Sequence, residues 1–284
     1  MIGNTRAVDL VVLALVPAAL VLVYALPASV TDSWRLAVLD PTLRAALLSH
    51  FVHGSPSHLV TNVAGYTLLA PLTYVLCLSA GRRREFFGVI VALLFGLPVV
   101  LSGLNLAVPR PSIVYGFSGV VMALLGFLAL ATGWHVEKRF DAVPDGRFAP
   151  VGFFLGTGVI SAIGAPITSL SLVAFGLAVV GGAAYLGSAT ATGGGVGRLV
   201  SRRDLAEPWR VELAAAGFLL VAIFPITAFP YEPASIGVVP NVYEHALGYC
   251  LGFVGPYAVS TVVDHPGIGH DASMDWLHPV RIRS

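Results

Sequence analysis

Apolar runs of about 20 residues, the length that crosses a ~30 Å hydrocarbon core as a helix, recur along this chain and leave it few folds to adopt. Eight are legible: Leu10–Leu26, Pro56–Ala80, Phe86–Leu106, Ser118–Trp134, Phe148–Ala165, Ile167–Gly187, Val211–Phe229 and Val242–Val263. Lipid offers no partner to an open backbone, so each run is expected as a helix. The fold class is an all-α polytopic membrane protein with about eight transmembrane helices. Charge is scarce to match: 11% of the 284 residues are charged, where soluble domains carry about 25%. Only the turn signal Gly164-Ala165-Pro166 separates the fifth run from the sixth. The first run continues to Val30, longer than a typical signal-peptide core, and lacks a small-residue cleavage site, so it is expected to be a permanent helix. Residues 1–264 form one membrane domain and 265–284 a polar tail. Thr190–Arg210, with Gly193-Gly194-Gly195 followed by arginines, reads as a flexible basic loop.

The basic residues orient the runs. With the N-terminus in the cytoplasm, inside segments hold 13 of the 16 Lys and Arg, and outside segments hold only Arg35, Arg44 and Arg110, as the positive-inside rule requires. Both termini are then cytoplasmic and Ser118 lies at an outer helix end. A net charge of +1 argues against a nucleic-acid partner. Cys77 and Cys250 both fall in apolar runs and imply no disulfide framework.

Polar residues in such runs are costly and need a reason. Tyr115-Gly116-Phe117-Ser118-Gly119 opens a charge-free stretch from Val120 to Thr132. Gly116 and Gly119 remove bulk on both sides of Ser118 and permit a sharp turn. Serine is a favoured helix N-cap, which would set Ser118 among free N–H groups at the positive dipole end. That end suits an oxyanion, although the pattern alone favours the plainer reading of a cap on a membrane helix.

Ser55-Pro56 is a helix start, with Ser as cap and Pro at the first position. His58 and Asn62 then follow at i and i+4 on one face, where they can donate to an anion or simply bind neighbouring helices. A metal site of His50, His53 and His58 is set aside, because the Gly54-Ser55-Pro56 break spoils helical ligand spacing and no carboxylate lies near. In the last run Asn241 and Glu244 form a capping-box pattern, so Glu244 is given no catalytic role. His245 lies in the first turn, with Gly248 and Gly252 on its face, where small residues let membrane helices pack backbone to backbone. If that face meets Gly119 and Ala123, the imidazole reaches Ser118 and can serve as the base that a serine needs.

These motifs together resemble the rhomboid family of intramembrane serine proteases. The family's His, four residues, His, three residues, Asn is matched by His53, His58 and Asn62. Its Gly-x-Ser-Gly is matched by Gly116, Ser118 and Gly119, and its His-x-x-Gly-x-x-x-Gly by His245, Gly248 and Gly252. The likeness spans about Leu10 to Val263, in the family's order. It implies a rhomboid-like bundle, a six-helix core plus extra spans, with Ser118 as nucleophile and His245 as base. His58, Asn62 and the Ser118 N–H would form the oxyanion hole, and His53, Gly116, Gly119, Gly248 and Gly252 would support it. Two features depart from the pattern. Met122 stands where an aromatic often stacks on the histidine, and Trp34-Arg35 lies upstream of the usual Trp-Arg position.

The resemblance implies a membrane endopeptidase needing no metal or cofactor, its partners the bilayer and membrane-protein substrates with helix-weakening residues near the scissile bond. A catalytically silent relative that binds membrane helices, and a transporter, are the alternatives. Intact Ser118 and His245 speak against the first, and polar groups confined to the outer half speak against the second.

Overall fold

The computed structural model describes residues 2–140, 148–163, 169–193, 206–229 and 241–264. In chain order the elements are α1 (Ile2–Tyr24), the short α2 (Ala28–Thr31), β1 (Leu36–Ala37), α3 (Leu43–Leu48), α4 (Pro56–Ser79), α5 (Arg83–Val91) and α6 (Leu97–Leu106). Then come β2 (Ile113–Val114), α7 (Ser118–Arg139), α8 (Ala149–Ile163), α9 (Ser169–Gly193), α10 (Pro208–Ala228) and α11 (Val242–Asp264). Counting α5–α6 as one unit, seven of these are long and apolar enough to cross a membrane among the described residues. The eighth expected span, α8, is a 15-residue apolar helix. Large apolar side chains such as Leu22, Val60, Phe95, Leu177 and Val263 face outward, which suits lipid rather than water. The described residues are those of a predominantly helical, multi-pass membrane protein.

A stretch without charge can be buried on every side, and α7 is: each residue from Gly119 to Val136 is buried. Around it pack α4, α8, α10 and α11, while α1 lies on α4 and α9 on α8. Small residues set how closely these helices approach. A Cβ added at Gly248 would meet the Gly119 carbonyl oxygen, and one at Gly252 would meet that of Ala123. A Cβ at Gly133 would run into the Ala149 backbone of α8, and one at Gly152 would come within 3.0 Å of the Ala129 carbonyl. At the α7 end remote from Ser118, Asp9 of α1 is buried and accepts from Arg83 Nε (2.7 Å) and Tyr74 O–H (2.5 Å). A buried carboxylate is tolerable with such partners, and this one ties α1 to α4 and α5.

Several expectations are revised. The Thr190–Arg210 loop is helical at both ends: α9 continues through Gly193, and α10 starts at Pro208, with Glu207 as its cap residue and proline at the first position. Arg210 pairs with Glu207 and donates to the Arg139 carbonyl at 3.0 Å, so its charge is spent on packing rather than on a solvated loop. The remainder of that segment, the Gly164-Ala165-Pro166 turn and the 265–284 tail lie outside the described residues. The third span contains a π-helical turn, Ala92–Gly96. Pro98 has no N–H for the Leu94 carbonyl, and a widened turn absorbs that missing bond. The all-α expectation also omitted β1 and β2, which pair antiparallel with Leu36 opposite Val114 and Ala37 opposite Ile113. This clasp anchors the approach to Ser118.

Candidate active site

Gly116 makes the turn into α7. Its φ is +116°, a region that L side chains rarely adopt. A Cβ there would also stand 2.6 Å from His58 Cε1 and 2.7 Å from Nε2, so His58 lies against the backbone two residues before Ser118. The Gly116 N–H donates to the Ser49 carbonyl at 3.0 Å, and the Phe117 carbonyl accepts from Val120 and Val121, both at 3.0 Å. Phe117, not Ser118, is therefore the N-cap residue, and Ser118 is the first helical residue. The correction matters chemically. A capping serine turns its hydroxyl back onto its own helix, whereas at the first position the hydroxyl is free for another partner. Val120 is the first residue whose N–H is taken up within the helix, so the Ser118 and Gly119 N–H groups have no intrahelical acceptor and stand at the positive end of α7.

The partner is His245. Its Nε2 lies 2.8 Å from Ser118 Oγ, and its Nδ1 lies 2.9 Å from the Ala228 carbonyl oxygen. A carbonyl only accepts, so Nδ1 carries the proton and Nε2 presents its lone pair to the Ser118 hydroxyl. That is the tautomer a general base requires. The orienting acceptor is the open C-terminal end of α10, where a triad would use a carboxylate. Phe229, the next residue, sets its ring edge-on to the imidazole at 5.5 Å. The ring beside the imidazole thus comes from the residue that follows α10, while Met122 is buried in the core.

The α4 start follows its sequence signal: Ser55 Oγ accepts from the His58 N–H at 3.2 Å, with Pro56 at the first position. Asn62, 4% exposed, has a buried Nδ2 with no hydrogen-bond partner among the described residues. An unpaired buried donor is expensive and stands ready for an acceptor. His53 packs edge-on to His58 at 5.0 Å, and His58 to Tyr115 at 5.9 Å. Both His53 ring nitrogens are buried with no formed hydrogen bond among the described residues. Burial first, then the His58 ring beside it, push the His53 pKa down to about 4, against a small upward pull from the Phe51 backbone. Arg35, of the upstream Trp34-Arg35 pair, lays its guanidinium 4.8 Å from the Tyr115 ring centre. Gly248 and Gly252 hold α11 against Gly119 and Ala123.

Sequence reasoning missed a second layer. His50, Ser102, Asn105, Arg110, Asn241 and Glu244 join in one polar network beside the dyad. Ser102 and Asn105 carried a usable signal, two polar residues at i and i+3 in an apolar run. Ala228 carried none, because a backbone carbonyl leaves no trace in residue identity.

A hydroxyl bonded to an oriented imidazole, at a helix N-terminus with spare donors, can attack an electrophilic carbon and hold the charge that develops on its oxygen. Against protein-family models, curated proteins and solved structures, the chain has no significant match.

Proposed function

We propose that this chain is a rhomboid-type intramembrane serine endopeptidase. The observation that carries the proposal is the 2.8 Å contact between Ser118 Oγ and His245 Nε2, with the tautomer set by the Ala228 carbonyl. Ser118 Oγ attacks the scissile carbonyl carbon as its proton passes to His245 Nε2. The oxyanion is met by the open N–H groups of α7, by His58 and by the unpaired Asn62 Nδ2. His245 then protonates the leaving amine, and water, deprotonated by His245, releases the acyl group from Ser118.

Substrates are membrane proteins whose spanning segments unwind near the cut, because a helix hides its carbonyls in its own hydrogen bonds. Eight crossings, with both termini in the cytoplasm and the dyad opening outward, fit the distribution of basic residues. A fluorophosphonate probe applied to the full-length protein in detergent tests the proposal. It labels Ser118 in the natural chain and not in Ser118→Ala; equal labelling of both ends it.

A further inference from the structure

Glu244 is 3% exposed, one residue before His245, and a buried acid needs a reason. Capping does not supply one. The cap bond runs from the Glu244 N–H to Asn241 Oδ1 at 3.2 Å and makes no use of the carboxylate. Instead Oε2 accepts from Asn105 Nδ2 (3.2 Å) and Asn241 Nδ2 (3.0 Å). Oε1 lies 3.2 Å from His50 Nδ1, within ion-pair reach of a protonated imidazole but not aligned as a hydrogen bond.

Each partner is anchored in turn. Ser102 Oγ donates to the Ala46 carbonyl at 2.6 Å, so its 3.1 Å contact with His50 Nε2 has the imidazole as donor. Asn105 Oδ1 accepts from Arg110 Nη2 at 2.5 Å and from Asn241 Nδ2 at 3.2 Å. The carboxylate thus joins α11, α6 and the turn Ser49–Phe51 that leads to His53 and His58. It also presses on α7, since a Cβ at Gly119 would stand 2.7 Å from Oε1.

The α7–α11 interface leaves the carboxylate a mechanical task. Near the site it is backbone against backbone, Gly248 and Gly252 on Gly119 and Ala123. Glycine contacts bring helices close but interlock no side chains, so they resist sliding and rotation weakly. The Ala228 carbonyl orients the His245 ring but does not set the height of α11 along α7.

We propose, on the premise that Ser118 and His245 are the reacting pair, that Glu244 is a positioning residue for this hydrolysis. Clamped by His50 and Asn105, it locks the first turn of α11 at the height where His245 Nε2 meets Ser118. The same clamp holds the segment bearing His53 and His58 to that turn.

The test is made on the full-length protein in detergent, with fluorophosphonate labelling of Ser118 and with hydrolysis of a model membrane substrate. Glu244→Gln keeps the shape and removes the charge. Labelling slows by about ten- to a hundredfold, as a small misplacement of reacting groups costs, while kcat falls by the same factor and KM holds. His50→Gln behaves alike, and the double variant is no slower than the slower single one, because the pair acts as a unit. Labelling of a folded Glu244→Gln protein within twofold of the natural chain overturns the proposal, as does additivity of the two effects. A fall in melting temperature with unchanged kcat also overturns it, reducing Glu244 to a structural role. If Glu244→Gln does not fold, His50→Gln carries the same comparison. Absence of labelling in the natural chain removes the premise instead, a separate outcome.

Discussion

Among the described residues α7 carries a serine–histidine pair at each of its ends, and the two differ in what stands around them. Ser118 meets His245 at 2.8 Å, and Ser79 meets His135 at 2.5 Å. In both pairs a backbone carbonyl takes the other imidazole N–H: Ala228 at 2.9 Å and Arg210 at 3.0 Å. The surroundings differ. Ser118 opens α7, among free N–H groups and the positive end of a helix dipole. Ser79 sits in the last turn of α4, where carbonyls gather, and its hydroxyl also lies 2.7 Å from the Leu76 carbonyl. Its proton therefore has two acceptors, and an oxyanion formed there would face the negative end of the helix. A hydrogen-bonded Ser–His contact is structural until donors stand where charge will develop.

Breaking the reacting pair should have the largest effect. Ser118→Ala and His245→Ala each lower turnover of a model membrane substrate by about 10⁴-fold or more, and the double variant is no worse than either single one. Appreciable turnover by a folded Ser118→Ala protein would reverse the assignment of the two pairs. Next come the donors that distinguish the two ends. Losing one oxyanion donor costs about 10²–10³ in rate; His58→Ala should reach that range, and Asn62→Ala should lose less because other donors remain. Full activity in both variants would place the hole elsewhere.

A third measurement sharpens the comparison through pH. His53, buried and neutral beside His58 with a pKa of about 4, binds its proton more readily unfolded, where a histidine titrates near 6.5. The unfolded state therefore takes up more protons between those values. Stability is whole above about pH 6.5 and declines as pH falls toward about 4, by up to about 3 kcal/mol from this group. Melting temperatures across that window should flatten in His53→Phe; an unchanged slope would assign the acid sensitivity to other groups. The smallest effect is expected at the remote pair. Ser79→Ala should cost about 1 kcal/mol of stability, one buried hydrogen bond, and leave turnover within about twofold. A rate loss matching that of Ser118→Ala would erase the distinction between the ends.

Much of the site was legible because lipid makes polar residues conspicuous. Ser118, His58, Asn62 and His245 stand out in apolar runs where each must earn its place, and Gly116, Gly248 and Gly252 mark where backbones turn or touch. The same logic accounted for the Glu244 N–H, which Asn241 caps, but a local motif could not show the longer-range partners of its carboxylate, His50 and Asn105. It misjudged Arg210. Glycines and arginines nearby implied a solvated loop, but Glu207 and the Arg139 carbonyl draw that arginine into the bundle.

Hydropathy and spacing by themselves determined that this chain is a multi-pass helical membrane protein, with a serine and a histidine near the starts of two of its helices. Those are local properties, because a helix in lipid satisfies its own backbone and its residue spacing follows from its own pitch. Only the tertiary structure decided which nitrogen of His245 faces Ser118, that the Ala228 carbonyl stands where a triad would place an acid, and that Ser118 follows the cap rather than forming it. Each depends on groups far apart in sequence or on backbone atoms that every residue shares, and residue identity does not encode them.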